Sequence, residues 1–143
     1  MKKLNERQNN KGFSLVELIV VIAIMVVLVA VLAPVFSKYI ESSRRSTDVQ
    51  NANAISEAVL ADFADGKAVP ADTRTEVKGE NTDVPTGVQG KDDLKAKGDK
   101  VEKGAHFYYV YNKDSNTCSV YVGSTDTLDL TKEEDAQTYK SND

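Results

Sequence analysis

Gly12-Phe13-Ser14-Leu15-Val16-Glu17 opens the segment that decides the fold, because it places one carboxylate near the start of an apolar run that continues to Phe36. From Phe13 to Phe36 only Ser14, Glu17 and Pro34 are not plainly apolar, and Leu18 to Ala33 holds no polar side chain. As a helix the run reaches about 36 Å, enough to cross a hydrocarbon core of roughly 30 Å. Val20, Val21, Ile22, Ile24, Val26 and Val27 are β-branched and in water would favour a strand. In lipid a lone strand leaves its backbone groups unsatisfied and a helix does not, so the segment is expected to be a membrane-spanning helix.

Residues 1–12 form a basic leader, with Lys2, Lys3, Arg7 and Lys11 against Glu6. A basic flank beside an apolar span stays in the cytoplasm, which directs the rest of the chain outward. Without the leader, 14 basic residues face 21 acidic ones. That balance argues against a nucleic-acid partner, which needs clustered Lys and Arg. A cleaved secretory signal is the competing reading, since Val31-Leu32-Ala33 faintly resembles a small-residue cleavage site. The apolar run is longer than the ~7–15 residues of such a signal, and Pro34 follows the would-be cut.

Taken together, the basic leader ending in Gly12, the aromatic Phe13 and the carboxylate of Glu17 inside an apolar run resemble the N-terminus of type IV prepilins and the related pseudopilins. The resemblance covers the leader and the span. It implies that a prepilin peptidase cuts between Gly12 and Phe13, and that Phe13 becomes the N-methylated first residue. It also implies polymerisation through the apolar helix and a pilin-like fold, with a long helix packed on a small sheet.

A carboxylate in a bilayer costs on the order of 2.5–3.5 kcal/mol by insertion scales, so Glu17 needs a partner. Once the leader is removed, the Phe13 amine lies one helical turn away. The carboxylate can pair with it, complement the helix N-terminus, or meet the same amine on a neighbouring chain. In the last case Glu17 sets the axial register of a filament, because a wrong offset would bury two charges unpaired. The alternative is an interfacial Glu whose side chain reaches the headgroups. Pro34 removes a backbone donor and crowds the Ala30 carbonyl, which predicts a kink or a local loosening. The resemblance adds that the preceding segment can partly unwind on packing.

Beyond the span, residues 37–65 continue the helical pattern: Ile40, Val49, Ala52, Ile55, Val59 and Phe63 recur at near-helical spacing. Glu41, Arg44, Arg45, Asp48, Glu57 and Asp62 fall mostly between them and read as a solvated face. Gly66 and Pro70 end the helix. Residues 66–104 form a polar, Gly- and Pro-broken connector, with a short strand expected at Thr73–Lys78 and a helical turn at Lys91–Lys97. Residues 105–143 form the sheet and the tail. Ala105–Tyr111 and Cys118–Val122 make a hairpin around the turn cluster Asn112–Thr117, with Phe107, Tyr109 and Tyr111 on one side and Cys118, Val120 and Val122 on one face of the partner strand. Thr127–Leu130 is expected as a third strand, Thr131 with Glu134 as a capping box for a terminal helix, and Ser141–Asp143 as a frayed end. The fold class is therefore α+β: a long N-terminal helix whose outer half packs on a small antiparallel sheet.

The chain carries no recognisable catalytic set and reads as a non-enzyme. His106 stands alone in a strand pattern, Cys118 has no partner for an intrachain disulfide and reads as a buried, inert thiol, and no cofactor fingerprint is present. Asp92-Asp93 and Glu133-Glu134-Asp135 lack the spacing that wraps a calcium ion. The expected function is a structural subunit of a type IV pilus. Its partners would be other pilin subunits, the prepilin peptidase and methylase, the pilus assembly machinery, and membrane lipid before assembly. It would sit in the cytoplasmic membrane as a single-pass precursor and then in an extracellular filament, where adhesion, motility or aggregation are the plausible uses. A pseudopilin of a secretion or DNA-uptake machine, and a monomeric anchored binding domain, are the alternatives.

Overall fold

Charged side chains on one long helix organise the molecule as much as its apolar ones do. The computed structural model describes residues 12–79, 83–88, 94–101, 104–125 and 127–141. It divides into two compact units, Met1–Ser37 and Lys38–Asp143. The elements in chain order are helix α1 (Leu15–Ala64), strands β1 (Thr75–Glu76), β2 (Phe107–Asn112) and β3 (Thr117–Val122), and helix α2 (Glu133–Lys140). The class is α+β, as the hydrophobic pattern indicated.

In the first unit, every described residue is exposed. This part of α1 is long and apolar enough to cross a membrane. Pro34 lies inside α1 without ending it. One turn on, the Ser37 hydroxyl donates to the Ala33 carbonyl at 3.1 Å, a back-bond of the kind that bends helices slightly.

In the second unit, α1 buries Val49, Ala52, Ile55 and Val59 against the inner face of the sheet. That face carries Phe107, Tyr109 and Tyr111 from β2 opposite Val122, Val120 and Cys118 from β3, all buried. This is the pairing expected from the alternation. Residues 113–116 make the hairpin turn, where Asn116 takes φ 51° and accepts the Tyr111 hydroxyl at 3.1 Å. Asn tolerates the left-handed region because its short side chain bonds locally. Ile40 and Phe63, read as members of the apolar stripe, are largely exposed at 40% and 36%. Phe63 still reaches the Tyr111 ring, with centroids 4.9 Å apart.

The helix ends in a Schellman motif. Gly66 takes φ 76°, Gly66 N–H donates to the Phe63 carbonyl at 3.0 Å, and Lys67 N–H donates to the Asp62 carbonyl at 3.0 Å. The glycine is needed there because a Cβ strains the left-handed conformation.

The solvated face expected for α1 is corrected at three places, because Arg45, Asp48 and Asp62 are buried. Each supplies hydrogen bonds that the irregular connector cannot make to itself. Asp48 accepts the backbone N–H groups of Lys97 and Gly98 at 2.8 and 2.7 Å, and the Tyr139 hydroxyl at 2.9 Å. Arg45 donates to Asp99 at 2.8 Å and to the Ser141 carbonyl at 2.5 Å, while Glu41 lies 3.4 Å from its Nε. Asp62 accepts Thr86 N–H at 3.0 Å and pairs with Lys67 at 2.5 Å. Gly98 is held so tightly that a Cβ there would lie 2.7 Å from Arg45 Cγ and 3.1 Å from the Tyr139 hydroxyl. Burial, and then the Asp48 carboxylate beside it, push the Tyr139 phenol well above its ordinary range.

Four further expectations change. Residues 94–97 are extended instead of helical, with Lys95 bridging His106, while 91–93 fall outside the described residues. Thr127–Leu130 is not a strand, and the third strand of the sheet is the short β1, paired to β2 in the order β1-β2-β3. On the other side of β3, a side chain does the pairing: Val120 N–H donates to Asp129 Oδ1 at 3.1 Å, and Leu130 N–H to the Val120 carbonyl at 2.9 Å. The Thr131 hydroxyl also goes to Asp129, at 2.6 Å, so it is not available to cap α2, whose N-cap is Lys132. Burial alone would raise the Asp129 carboxyl, but the hydrogen bonds from Thr131, Ser119 and Val120 hold it below the usual range. Ser141, expected to fray, is half-buried, with its carbonyl taken by Arg45 and Lys100; Asn142 and Asp143 lie outside the described residues.

Cys118 sits buried in β3. Desolvation pushes its thiol up to about 11. Only the thiolate is a good nucleophile, so at pH 7.5 the folded chain should react with iodoacetamide at least tenfold more slowly than after unfolding. Equal rates before and after unfolding would show that the strand does not shield it.

Candidate processing and assembly site

Gly12, Phe13, Ser14 and Glu17 come together at the start of α1, and the geometry follows from the unsatisfied donors that every helix N-terminus carries. The Ser14 backbone N–H donates to Glu17 Oε2 at 2.8 Å. Val16 N–H points to Ser14 Oγ at 3.4 Å. Leu18 N–H donates to the Ser14 carbonyl at 3.2 Å, which is the first bond of the helical ladder. Serine at the N-cap with glutamate three residues on is a capping box, in which each partner satisfies backbone donors near the other.

The expectation that Glu17 complements the helix N-terminus thus takes a definite form. One carboxylate oxygen is committed to Ser14, and Glu17 Oε1 accepts no hydrogen bond from any described residue. Ser14 was not singled out in the sequence, although Ser-x-x-Glu immediately ahead of an apolar run is the signature that would have found it.

Gly12 is open. A Cβ built on it meets nothing within 4 Å, and its φ lies outside the left-handed region that Gly66, Gly104 and Gly123 occupy. The fold of this chain therefore places no demand for glycine at position 12, unlike Gly98. Phe13 is 92% exposed. The residues before Gly12 lie outside the described ones. Pro34 is remote in sequence from this cluster and stands within the helix. Among the described residues, no group of three or more His, Cys, Asp or Glu side chains is placed to hold a metal ion.

Residues 7–33 match the family model of the prokaryotic N-terminal methylation motif. The chain is 37% identical over 84 residues to prepilin peptidase-dependent protein A of Clostridium perfringens, covering 57% of this chain and 60% of that protein. It is 32% identical over 118 residues to a type IV major fimbrial protein FimA of Dichelobacter nodosus, covering 78% of this chain and 65% of that protein. A second FimA of the same organism is 32% identical over 84 residues, with 59% of this chain and 47% of the relative covered. The chain thus spans about half to two thirds of the length of these relatives. No solved structure matches it. The start of the chain thus carries a match to the prokaryotic N-terminal methylation motif, and the chain is similar to type IV fimbrial proteins and to a prepilin peptidase-dependent protein.

Proposed function

We propose that this chain is a structural subunit of a type IV pilus, made as a membrane-anchored precursor and polymerised through the apolar part of α1. The supporting observation is the pairing of a carboxylate, Glu17, with a helix segment whose apolar side chains are all exposed. Such a segment is stable only in lipid or against copies of itself. Side-chain packing between helices replaces lipid contacts with closer ones, and the charged group selects one stagger among many.

In this reading the leader holds the N-terminus in the cytoplasm, and a prepilin peptidase hydrolyses the Gly12–Phe13 amide. Water supplies the new Gly12 carboxylate and the new Phe13 amine. In methylation an electrophilic methyl donor brought by the methylase gives its CH3 to that amine, the donor's remainder leaves with the bonding pair and one N–H proton goes to solvent; the product can still carry a proton, so it remains a cation that Glu17 can meet. Gly12 suits the cut because none of the described residues covers it. Pro34 serves as the flexible point of the span, where a missing backbone bond lets the helix bend or unwind as subunits pack. The second unit forms the outward surface. The partners are other copies of the chain, the processing enzyme, the membrane assembly machinery and, before assembly, lipid. A pseudopilin role shares all of these features; long surface filaments in expressing cells separate a pilus subunit from it.

Mass spectrometry of the mature N-terminus tests the reading directly. The expected first residue is a monomethylated Phe13. Met1 still attached, or an N-terminus at Pro34, would overturn it in favour of an uncut anchor or a secretory signal.

A further inference from the structure

Between α1, the start of β3 and the segment ahead of α2, the second unit holds a cavity of about 320 Å3 whose walls include Ser56, Leu60, Thr117, Cys118, Asp129 and Lys132. Its polar atoms are not all used by the fold. Asp129 Oδ1 takes the Val120 N–H and the Thr131 hydroxyl, but the buried Asp129 Oδ2 receives no hydrogen bond from any described residue. Lys132 Nζ lies 3.6 Å from it, beyond hydrogen-bond reach, on a side chain that is 69% exposed. The edge of β3 adds a donor. Val120 turns its N–H to Asp129 and its carbonyl to Leu130, so Cys118, two residues back on the same strand, faces the same edge. The Cys118 carbonyl accepts the Ser56 hydroxyl at 3.1 Å, and its N–H has no acceptor among the described residues.

We propose that this cavity binds one neutral sugar unit, with Asp129 Oδ2 accepting from a sugar hydroxyl and Lys132 Nζ donating to the same hydroxyl or the next. The charge pair selects the ligand class. A metal ion or an ammonium at Oδ2 would meet the like charge of Lys132, and a carboxylate or phosphate at Lys132 would meet Asp129. A hydroxyl both donates and accepts, so it alone satisfies the two groups together without opposing either. The Cys118 N–H offers a further donor at the strand edge. The Ser56 hydroxyl, already donating to Cys118, keeps lone pairs free to accept. Leu60 supplies an apolar wall for the C–H face of a ring. Size agrees, because ligand cavities run from about 300 to 1,000 Å3 and this one lies at the small end, where a single ring fits and an oligosaccharide does not. Every residue named belongs to one copy of the second unit, so the site does not depend on assembly.

The test titrates the full chain, in a detergent without a sugar headgroup, with glucose, galactose, mannose, N-acetylglucosamine and N-acetylgalactosamine, and separately with calcium chloride, methylammonium and acetate. Saturation-transfer NMR reads the binding. At least one sugar should bind saturably with a millimolar or tighter Kd, and the three ions should neither bind nor displace it. Asp129→Asn keeps an acceptor for Val120 and Thr131 but turns an amide N–H2 toward the cavity, and it should weaken that sugar about tenfold. Lys132→Ala removes only an exposed side chain, so it leaves the fold intact and should weaken the sugar about threefold; it carries the test if Asp129→Asn does not fold. Tighter retention by a bead-bound glycan ending in that sugar would assign the ligand to a cell-surface polysaccharide, and equal retention would assign it to the free sugar; both uphold the site. Saturation by none of the five sugars would overturn the proposal. So would sugar binding that folded Lys132→Ala leaves unchanged, or calcium binding that Asp129→Asn abolishes, which would make the cavity an ion site.

Discussion

Glu17→Gln is expected to abolish filaments while leaving the chain inserted and folded. Glutamine keeps the length of the side chain and one acceptor oxygen, so the Ser14 N–H that now donates at 2.8 Å still finds a partner. What it removes is the charge. In a dry bundle a neighbour's ammonium would then stand buried without its counter-ion, and breaking one side of a buried pair costs about 3–5 kcal/mol. Each 1.4 kcal/mol is about a factor of ten, so the loss per contact is of order a hundredfold or more. Repeated along a polymer, that is enough to suppress growth. Electron microscopy of sheared surface material against the membrane-bound pool measures the effect. Wild-type filament yield from a fully expressed Glu17→Gln chain would sink the register hypothesis.

Asp48→Ala should be the most damaging single change in the second unit. The substitution strands two backbone donors, the part-buried one of Lys97 and the buried one of Gly98, together with the Tyr139 hydroxyl. Hydrogen bonds to a charged group contribute about 1.5–3 kcal/mol each, and they share one acceptor here, so about 3–5 kcal/mol is expected for the set. Thermal melting of the full chain in detergent, followed by the near-ultraviolet tyrosine signal, should show a drop of ten degrees or more. Asp48→Asn, which keeps one acceptor oxygen, should fall between the two. Gly98→Ala should reproduce much of the loss from the other side, because its Cβ would lie 2.7 Å from Arg45 Cγ. A melting temperature for Asp48→Ala within two degrees of wild type would show that the carboxylate does not hold this unit together.

The parts of the fold that were legible in the sequence are those carried by periodicity. Alternation in Phe107–Tyr111 and Cys118–Val122 fixed both the hairpin and its buried face, because a strand's side chains switch sides at every residue. The apolar run marked the exposed first part of α1, which is long and apolar enough to cross a membrane, and Gly66 marked where the helix stops.

Arg45, Asp48 and Asp62 were misread for a physical reason. A helical stripe is recognised by its apolar members, and a charge on the same stripe looks solvated until its distant partners are known. Those partners include the backbone N–H groups of Thr86, Lys97 and Gly98, the Asp99 carboxylate, the Ser141 carbonyl and the Tyr139 hydroxyl, and such distant pairings leave no mark in composition. Asp129 misled in the same way: its carboxylate supplies the acceptor that a third strand's backbone was expected to provide. At the start of α1, Gly12, Phe13 and Glu17 stood out in the sequence. The Ser14 cap needed coordinates to be noticed, although its spacing was available.

Tyr139 reaches back to Asp48 across 91 positions, and Arg45 to Ser141 across 96. Neither link can form until the whole stretch between its two ends has been made. At roughly 5–20 residues per second, the ribosome needs on the order of 5–20 s to make the intervening stretch. For that interval the face of α1 that is buried in the second unit lacks the partners that cover it, and the nascent domain is at its most vulnerable to aggregation and proteolysis.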